Sequence, residues 1–325
     1  MLLEIEHSLS LEYDGWIRES FLELRMQPKS SSHQTLHSFV LAVGPPSKIT
    51  RYRDWNENAV HHFTIPNFHE RIQVAARAQV TTHPVAPPLD AVVDAMPLRD
   101  LPWSVLDFLR VGGPVVDSGA LAAFGASVDV SPTAALGEQV LAVGEAIRRG
   151  FLYQKEVTRY DSTTDEFLRL RAGVCQDFTH LMLGALRLRG IPCRYVSGYL
   201  HVERTSAEAS QSHAWVEFFS PAAGWIPFDP THSRTVDERY VVVGHGRHYD
   251  DVPPNKGIFR GNAREAMRAE VVTRRSAPKA IATLHEEVEH IDLPVYQEIP
   301  ARSLEWTSAV VDDAAAQQQQ QQQSG

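Results

Sequence analysis

The chain has 325 residues, and its 31 lysines and arginines against 40 aspartates and glutamates give a formal net charge of −9. Hydrophobic residues make up 43% of the chain and charged residues 22%, which excludes a chain that is disordered throughout. The sequence has no run of about 18 apolar residues, as a membrane-spanning helix would need, and its acidic balance argues against a nucleic-acid partner.

The composition also limits the compartment and the chemistry. The first residues carry Glu4 and Glu6 and lack a basic segment followed by an apolar one, so we expect no secretion signal. Cys175 and Cys193 are the two cysteines, too few for a disulfide framework or a multi-cysteine zinc site. We therefore expect a cytoplasmic, reducing location in which a free thiol is available for chemistry.

The first part of the chain has the pattern of a β domain. Short segments with partial alternation of apolar and polar residues are separated by turn signals such as Asp14-Gly15. This spacing is typical of an antiparallel sandwich or barrel, so we predict an all-β, sandwich-like domain over residues 1–83. The predicted strands are residues 4–11, 21–26, 35–43, 49–55, 59–65 and 71–82.

A proline-rich bridge follows at residues 84–135, and short helices fit between its prolines. At the end of this bridge Ser131 has the character of an N-cap, and Pro132 suits the first position of a helix. Gly150 lies where that helix is expected to end.

The predicted centre of the second domain is a helix that begins at Cys175 or one residue before it. Before it, Thr163 and Glu166 match a capping box and predict another short helix. Because apolar residues cover a wide face of the helix from Cys175, we expect this helix to be buried. A helix packed on an antiparallel sheet is an α+β architecture, which we predict for residues 136–275. The predicted strands of the sheet are residues 194–202, 213–219, 225–229 and 239–243.

The tail, residues 276–325, differs from the rest of the chain. Its first part mixes acidic and apolar residues without a clear period, and Gln317–Gln323 is an unbroken run of glutamine. A segment of this composition cannot form a core of its own, so we expect the polyglutamine end to be disordered.

Cys175 is the first candidate for chemistry. A thiol on the first turn of a helix faces unpaired backbone N–H groups and the positive end of the helix dipole, which favours the thiolate. Most free cysteines are instead small buried hydrophobic residues. We keep that second interpretation for Cys193, which enters a predicted strand.

His213 and Asp229 are the other two candidates. The segment between Phe219 and Trp225 has the length of a hairpin turn, so the strands that hold His213 and Asp229 can pair and bring them together. Alone, each is a weak signal, since strand histidines are common and Asp-Pro often forms a turn. A thiolate nucleophile, however, needs an imidazole that keeps it ionised, and the imidazole needs a carboxylate that fixes its tautomer.

These residues stand in blocks that resemble the bacterial transglutaminase-like proteins, many of which are described as candidate cysteine proteases. The β-rich start resembles the extra N-terminal domain of that family, and the resemblance extends over roughly residues 1–275. It implies a papain-like or transglutaminase-like core, with Cys175, His213 and Asp229 as the catalytic residues. The blocks are GVCQDF (173–178), RLRGIPCRYVSGY (187–199), SHAWVE (212–217), GWIPFDPT (224–231) and GRHYDDVPPNKG (246–257).

The chain also departs from the family pattern. The family's aspartate is often followed by Pro-Thr-Asn, whereas this chain has His232 in the last position, which we expect to alter the rim of the site. Animal transglutaminases use an aromatic side chain to help hold the oxyanion, and Tyr153 is our candidate for its equivalent. Gln176 could assist the oxyanion as well, but a capping or packing role is the one we expect.

Two pairs of histidines need an interpretation. His245 and His248 have the spacing of a metal-binding pair, but no third ligand can be recognised, so we predict no metal and no cofactor. His61 and His62 lie in a predicted strand and are expected to face solvent.

We interpret the chain as a thiol-dependent amide-bond hydrolase that acts on a peptide or protein substrate through a thioester on Cys175. If a primary amine replaces water as the acceptor, the same chemistry makes the protein a transglutaminase. The family description and the absence of calcium-loop motifs favour hydrolysis. A non-enzymatic module that binds an extended peptide is the remaining alternative, and we expect neither nucleic acid nor a membrane as a partner.

Overall fold

The structure, a computed structural model, describes residues 1–83, 87–203, 211–276 and 284–300. Its strands and α-helices are numbered here in chain order. The strands are β1 (Leu2–Leu24), β2 (Gln34–Gly44), β3 (Thr50–Arg53), β4 (Ala59–Ile65), β5 (His69–Thr82), β6 (Leu152–Tyr153), β7 (Ala172–Gly173), β8 (Cys193–Leu200), β9 (Gln211–Ser220), β10 (Gly224–Asp229), β11 (Arg234–Thr235), β12 (Tyr240–Gly246), β13 (Asn255–Arg260), β14 (Glu265–Arg275) and β15 (His285–His290). The α-helices are α1 (Trp103–Leu106), α2 (Gly119–Ser127), α3 (Leu136–Gly150), α4 (Thr164–Leu170) and α5 (Cys175–Arg187).

The described residues belong to two compact units. The first unit draws on three segments of the chain, and the second on two. The described residues of the first unit lie within 1–82, 199–212 and 253–300, and those of the second within 83–198 and 213–252.

The first unit is built on the long strand β1. Its first half pairs antiparallel with β5 and β14, and its second half pairs antiparallel with β4 and β13. The sequence predicts a turn at Asp14-Gly15, and this prediction is wrong, because β1 continues through both residues. The Asp14 N–H still donates to the Arg264 carbonyl at 3.1 Å, so a neighbouring chain segment keeps the backbone extended.

The C-terminal part of the described chain also contributes strands to this first sheet. β13 and β14, which the sequence analysis assigned to the core domain at 136–275, pair with β1. β15, assigned to the tail from residue 276, pairs in parallel with β2. A strand pattern does not identify its partner strand, so this return of the chain to the first unit follows from pairing over long sequence distances.

The second unit is an α+β structure around α5. Its main sheet has the strand order β11-β10-β9-β8-β12, and β9 pairs antiparallel with β10, with Trp225 opposite Phe219. On α5, Phe178, Leu181 and Met182 are at most 1% exposed, which confirms the predicted buried central helix. The hairpin of β9 and β10 is likewise present where its turn length predicts it.

The helix starts agree with the sequence in one case and differ in another. Thr163 is the N-cap of α4, and its side chain accepts from the Glu166 N–H, as the capping box predicts. The predicted cap at Ser131 is wrong, because α3 begins at Leu136. The Ser131 carbonyl accepts instead from the Gln139 side chain, so Ser131 stabilises the approach to the helix rather than its first turn.

Two further features to consider are the polyglutamine end and membrane-spanning helices. The polyglutamine run at 317–323 lies outside the described residues. None of the helices in the described part of the chain has the length and apolar character that crossing a lipid bilayer requires.

Candidate active site

Cys175 is the first residue of α5, directly after the short strand β7 and Val174, and it is partly exposed. The turn that presents it is held by Asp177, whose Oδ2 accepts from the Val174 N–H at 2.8 Å and the Thr158 hydroxyl at 2.6 Å. A Cβ atom at Gly173 would lie 2.4 Å from the same oxygen, so this turn requires glycine. Burial raises the pKa of Asp177 to about 7, against these two hydrogen bonds, which lower it.

His213 lies on β9 and is buried. Its Nε2 is 2.8 Å from Asp229 Oδ2, which confirms the predicted hydrogen bond and leaves Nδ1 as the ring nitrogen for Cys175. Trp215, also buried, stacks beside the imidazole with ring centroids 6.2 Å apart. Burial alone would lower the pKa of His213, but the charge of Asp229 and hydrogen bonds with Asp229 and Cys175 raise it to about 10. The imidazolium is therefore the stable form beside the thiol.

Asp229 ends β10 and is completely buried. Its Oδ2 is 2.8 Å from His213 Nε2 and 2.7 Å from both His232 Nδ1 and the Tyr240 hydroxyl. Its Oδ1 accepts from the Thr231 N–H at 2.8 Å and from the His232 N–H at 3.4 Å. Burial favours the neutral acid, but the positive charge of His213 and these donors hold the pKa of Asp229 well below its usual range. The carboxylate is ionised and acts only as an acceptor.

Sequence reasoning missed the roles of His232 and Tyr240. It placed His232 only at the rim of the site, although a histidine three residues after an aspartate in a turn can reach back to it. Tyr240 had no local signal, because its contact with Asp229 depends on where β12 lies in the sheet. Both side chains bind the carboxylate oxygen that His213 also uses.

The two candidates for the oxyanion occupy different positions. Tyr153, which is 46% exposed, pairs with Gly173 across β6 and β7. Desolvation of its hydroxyl and the charges of Cys175, Asp177 and Asp229 raise the pKa of Tyr153. Gln176 is buried, and its amide donates to the Tyr160 carbonyl at 2.7 Å. Gln176 thus ties two segments together, whereas Tyr153 lies within electrostatic reach of the thiol.

The remaining sequence candidates lie apart from this group. Cys193 is buried, its thiol faces the Leu183 carbonyl at 3.5 Å, and burial raises its pKa to about 11, so it is a packing residue. The Arg194 guanidinium donates to His245 Nε2 at 3.1 Å. His248 Nδ1 faces Asp250 at 3.5 Å.

Metal-ligand atoms cluster at one place in the described residues. One atom each from His213, Asp229 and His232 lie within 4.8 Å of one another, a spacing that could hold an ion. Both imidazoles, however, point a ring nitrogen at the same Asp229 oxygen. We therefore assign these three side chains to a hydrogen-bond network.

Comparison with known proteins shows the family of the chain. Residues 3–81 match the family model of the bacterial transglutaminase-like N-terminal region, and residues 122–230 match that of the transglutaminase-like superfamily. An uncharacterized protein from Mycobacterium leprae is 30% identical over 280 residues, which cover 80% of this chain and 93% of that protein. The chain belongs to the transglutaminase-like superfamily.

Two further relatives of this transglutaminase-like protein carry functional names. A protein-glutamine gamma-glutamyltransferase from Pseudomonas aeruginosa is 31% identical over 116 residues, which cover 32% of this chain and 17% of that protein. The crystal structure of a candidate cysteine protease from Cytophaga hutchinsonii superposes with a TM-score of 0.71 at 19% identity, covering 86% of this chain and 92% of that one. The second match establishes the fold, a transglutaminase-like core with an N-terminal β-rich region.

Proposed function

We propose that this chain is a thiol-dependent amide-bond hydrolase that acts on peptide or protein substrates. The observation that carries the proposal is the chain of contacts from the partly exposed Cys175 to the buried His213 and from His213 to Asp229. A nucleophile, a base and an orienting carboxylate in hydrogen-bond reach of one another are the parts that acyl transfer through a thioester requires.

The proposed reaction has two steps that share the same groups. The Cys175 thiolate attacks the amide carbon, and the departing amine takes the proton that His213 holds, which leaves a thioester on sulfur. Neutral His213 then removes a proton from water, the hydroxide attacks the thioester, and the carboxylic acid leaves as the Cys175 thiolate and the His213 imidazolium are restored. Asp229 keeps the imidazole in the orientation that both proton transfers need.

The oxyanion of each tetrahedral intermediate needs donors near the nucleophile. Backbone N–H groups at the start of α5 are the proposed donors, because the first N–H groups of a helix have no partner within it. Tyr153 is the proposed side-chain donor, supported by its pairing opposite Gly173 and by the effect of Cys175 on its hydroxyl.

Acyl transfer to a primary amine is a second candidate, favoured by one observation. The relative from Pseudomonas aeruginosa that is 31% identical over 116 residues is named a protein-glutamine gamma-glutamyltransferase. The two activities differ in whether water or an amine reaches the thioester.

We also propose a reducing, cytoplasmic location, because a free reactive thiol persists there. Given the net charge of −9, we propose partners other than nucleic acid or membranes.

Casein offered together with a labelled primary amine tests both activities in one experiment. We expect released peptides from wild-type protein and no turnover from Cys175→Ala, whereas the matched variant Cys193→Ala should retain turnover because its thiol is buried. Incorporation of the amine without peptide release would instead support the transglutaminase. Alkylation by iodoacetamide tests the thiol directly, and equal, slow labelling of Cys175 and Cys193 near neutral pH would favour a binding module and overturn the enzyme.

A further inference from the structure

His232 has no role in the proposed reaction, although it contacts Asp229. Its Nδ1 lies 2.7 Å from Asp229 Oδ2, and its backbone N–H also reaches Oδ1 of the same carboxylate at 3.4 Å. The ring centroid is 5.6 Å from that of His213. Its side chain is 43% exposed, while that of Asp229 is 0% exposed, so His232 lies between the carboxylate and solvent.

The protonation of His232 at Nδ1 follows from its partner. Because Asp229 is an ionised acceptor, the hydrogen bond requires a proton on Nδ1 of His232.

We propose that His232 is a positioning residue that orients Asp229 and, through it, His213. This inference rests on the proposed function, because it presumes that Cys175 is activated by His213. His232 touches neither the thiol nor, in the proposal, the substrate. It acts by filling one acceptor direction of the oxygen that His213 uses.

Asparagine and alanine at position 232 test this role. His232→Asn keeps an N–H donor in the position of Nδ1, whereas His232→Ala removes the donor. The experiment measures the iodoacetamide alkylation rate of Cys175, located by mass spectrometry, from pH 5 to 9 in the full chain. His285→Asn is the matched control, because this histidine is exposed and lies on β15.

We expect His232→Ala to react about tenfold more slowly than wild type at pH 7.5, as befits the loss of a hydrogen bond to a charged group. His232→Asn should remain within about threefold of wild type at pH 7.5, because its amide N–H replaces the donor to Asp229. His285→Asn should follow the wild-type profile.

Each other outcome overturns a defined part of the argument. If Ala and Asn variants both match wild type over the whole pH range, His232 does not position Asp229. An Asn variant that is about tenfold slower than wild type would overturn the orienting role of the N–H donor, and this variant decides the question if His232→Ala does not fold. If wild-type Cys175 reacts as slowly as Cys193, the proposed function itself fails, whatever the His232 variants do.

Discussion

Two buried aspartates near Cys175 differ in the charge that their surroundings favour. Asp229 has an imidazolium as neighbour and accepts several hydrogen bonds, so it stays ionised despite burial. Asp177 accepts from a hydroxyl and a backbone N–H, which are neutral donors, and burial raises its pKa to about 7. The first carboxylate therefore suits electrostatic support of a base, and the second suits the fixing of a turn.

Replacement of Asp177 tests this structural role. In Asp177→Ala the Val174 N–H and the Thr158 hydroxyl lose their buried acceptor, and we expect the free energy of unfolding to fall by about 2 to 4 kcal/mol. Asp177→Asn keeps an acceptor oxygen and should lose less than half as much. Urea unfolding at pH 7 measures both variants, and Cys175 alkylation should slow in parallel. An Ala variant as stable as wild type would contradict the role.

At the residue scale, the sequence identifies partners that are close along the chain. The hairpin between Phe219 and Trp225 brings His213 and Asp229 together, and their hydrogen bond is predictable from turn length alone. Tyr240 reaches the same carboxylate from a strand at the other edge of the sheet. No spacing rule contains that contact, because it depends on strand order, which local patterns do not encode.

The central helix α5 is fixed at both of its ends. At its start, Asp177 holds the turn that presents Cys175. At its end, the buried guanidinium of Arg187 donates to the carbonyls of Phe108, Arg110 and Cys193 at 3.0 to 3.1 Å. Burial lowers the pKa of Arg187, but an arginine keeps its charge, and its planar donors can serve several carbonyls at once.

Arg187→Met should therefore destabilise the second unit strongly. The substitution keeps the apolar stem but leaves buried carbonyls without donors, and we expect a loss of about 3 to 5 kcal/mol. The matched control is Arg149→Met near the end of α3, since the Arg149 side chain is 76% exposed and should contribute less than about 0.5 kcal/mol. Thermal and urea unfolding of the full chain give the comparison. Equal effects of the two substitutions would disprove the anchoring role of Arg187.

At the element scale, local signals predict starts of elements better than their partners. The Thr163 cap is correctly predicted because its acceptor and donor lie three residues apart. Ser131 has the same kind of capping hydroxyl, but its carbonyl accepts from the Gln139 side chain and the helix begins at Leu136. The strands β13 to β15 could not be assigned to the first sheet, because alternation looks the same whichever strand is the neighbour.

Over the whole molecule, buried histidines make stability depend on pH. Burial lowers the pKa of His7 and His61 in the first unit to about 4, and that of His180 in the second to about 3. Above pH 6.5 these rings are neutral in both the folded and the unfolded chain. As the pH falls below 6.5 the unfolded chain gains protons first, so folding free energy is lost towards pH 4. His213 has the opposite shift, and its stabilising contribution is complete below pH 6.5.

His61 is the position at which this dependence is best measured. The strand pattern predicts that it faces solvent, which is wrong: it is 5% exposed, packs on Phe39 with ring centroids 5.3 Å apart, and its Nδ1 has no hydrogen-bond partner among the described residues. Arg51 adds to the lowering of its pKa, and Glu286 opposes it. The alternation of β4 could not reveal this burial, because the strand has two adjacent histidines and the sequence does not indicate which of them faces the core.

His61→Phe keeps a ring against Phe39 but removes the group that gains a proton on unfolding. We expect wild type to lose more stability than this variant between pH 7.5 and pH 5, by about 2 kcal/mol, the product of roughly 1.5 pH units and the free energy per unit. The readout is the change in the free energy of unfolding between the two pH values. A packing cost of the larger ring that is the same at both pH values therefore cancels. His62→Gln on the opposite face of β4 is the control and should keep the wild-type dependence. Urea unfolding of the full chain decides it, and a parallel loss in wild type and His61→Phe would mean that His61 is already protonated in the folded protein.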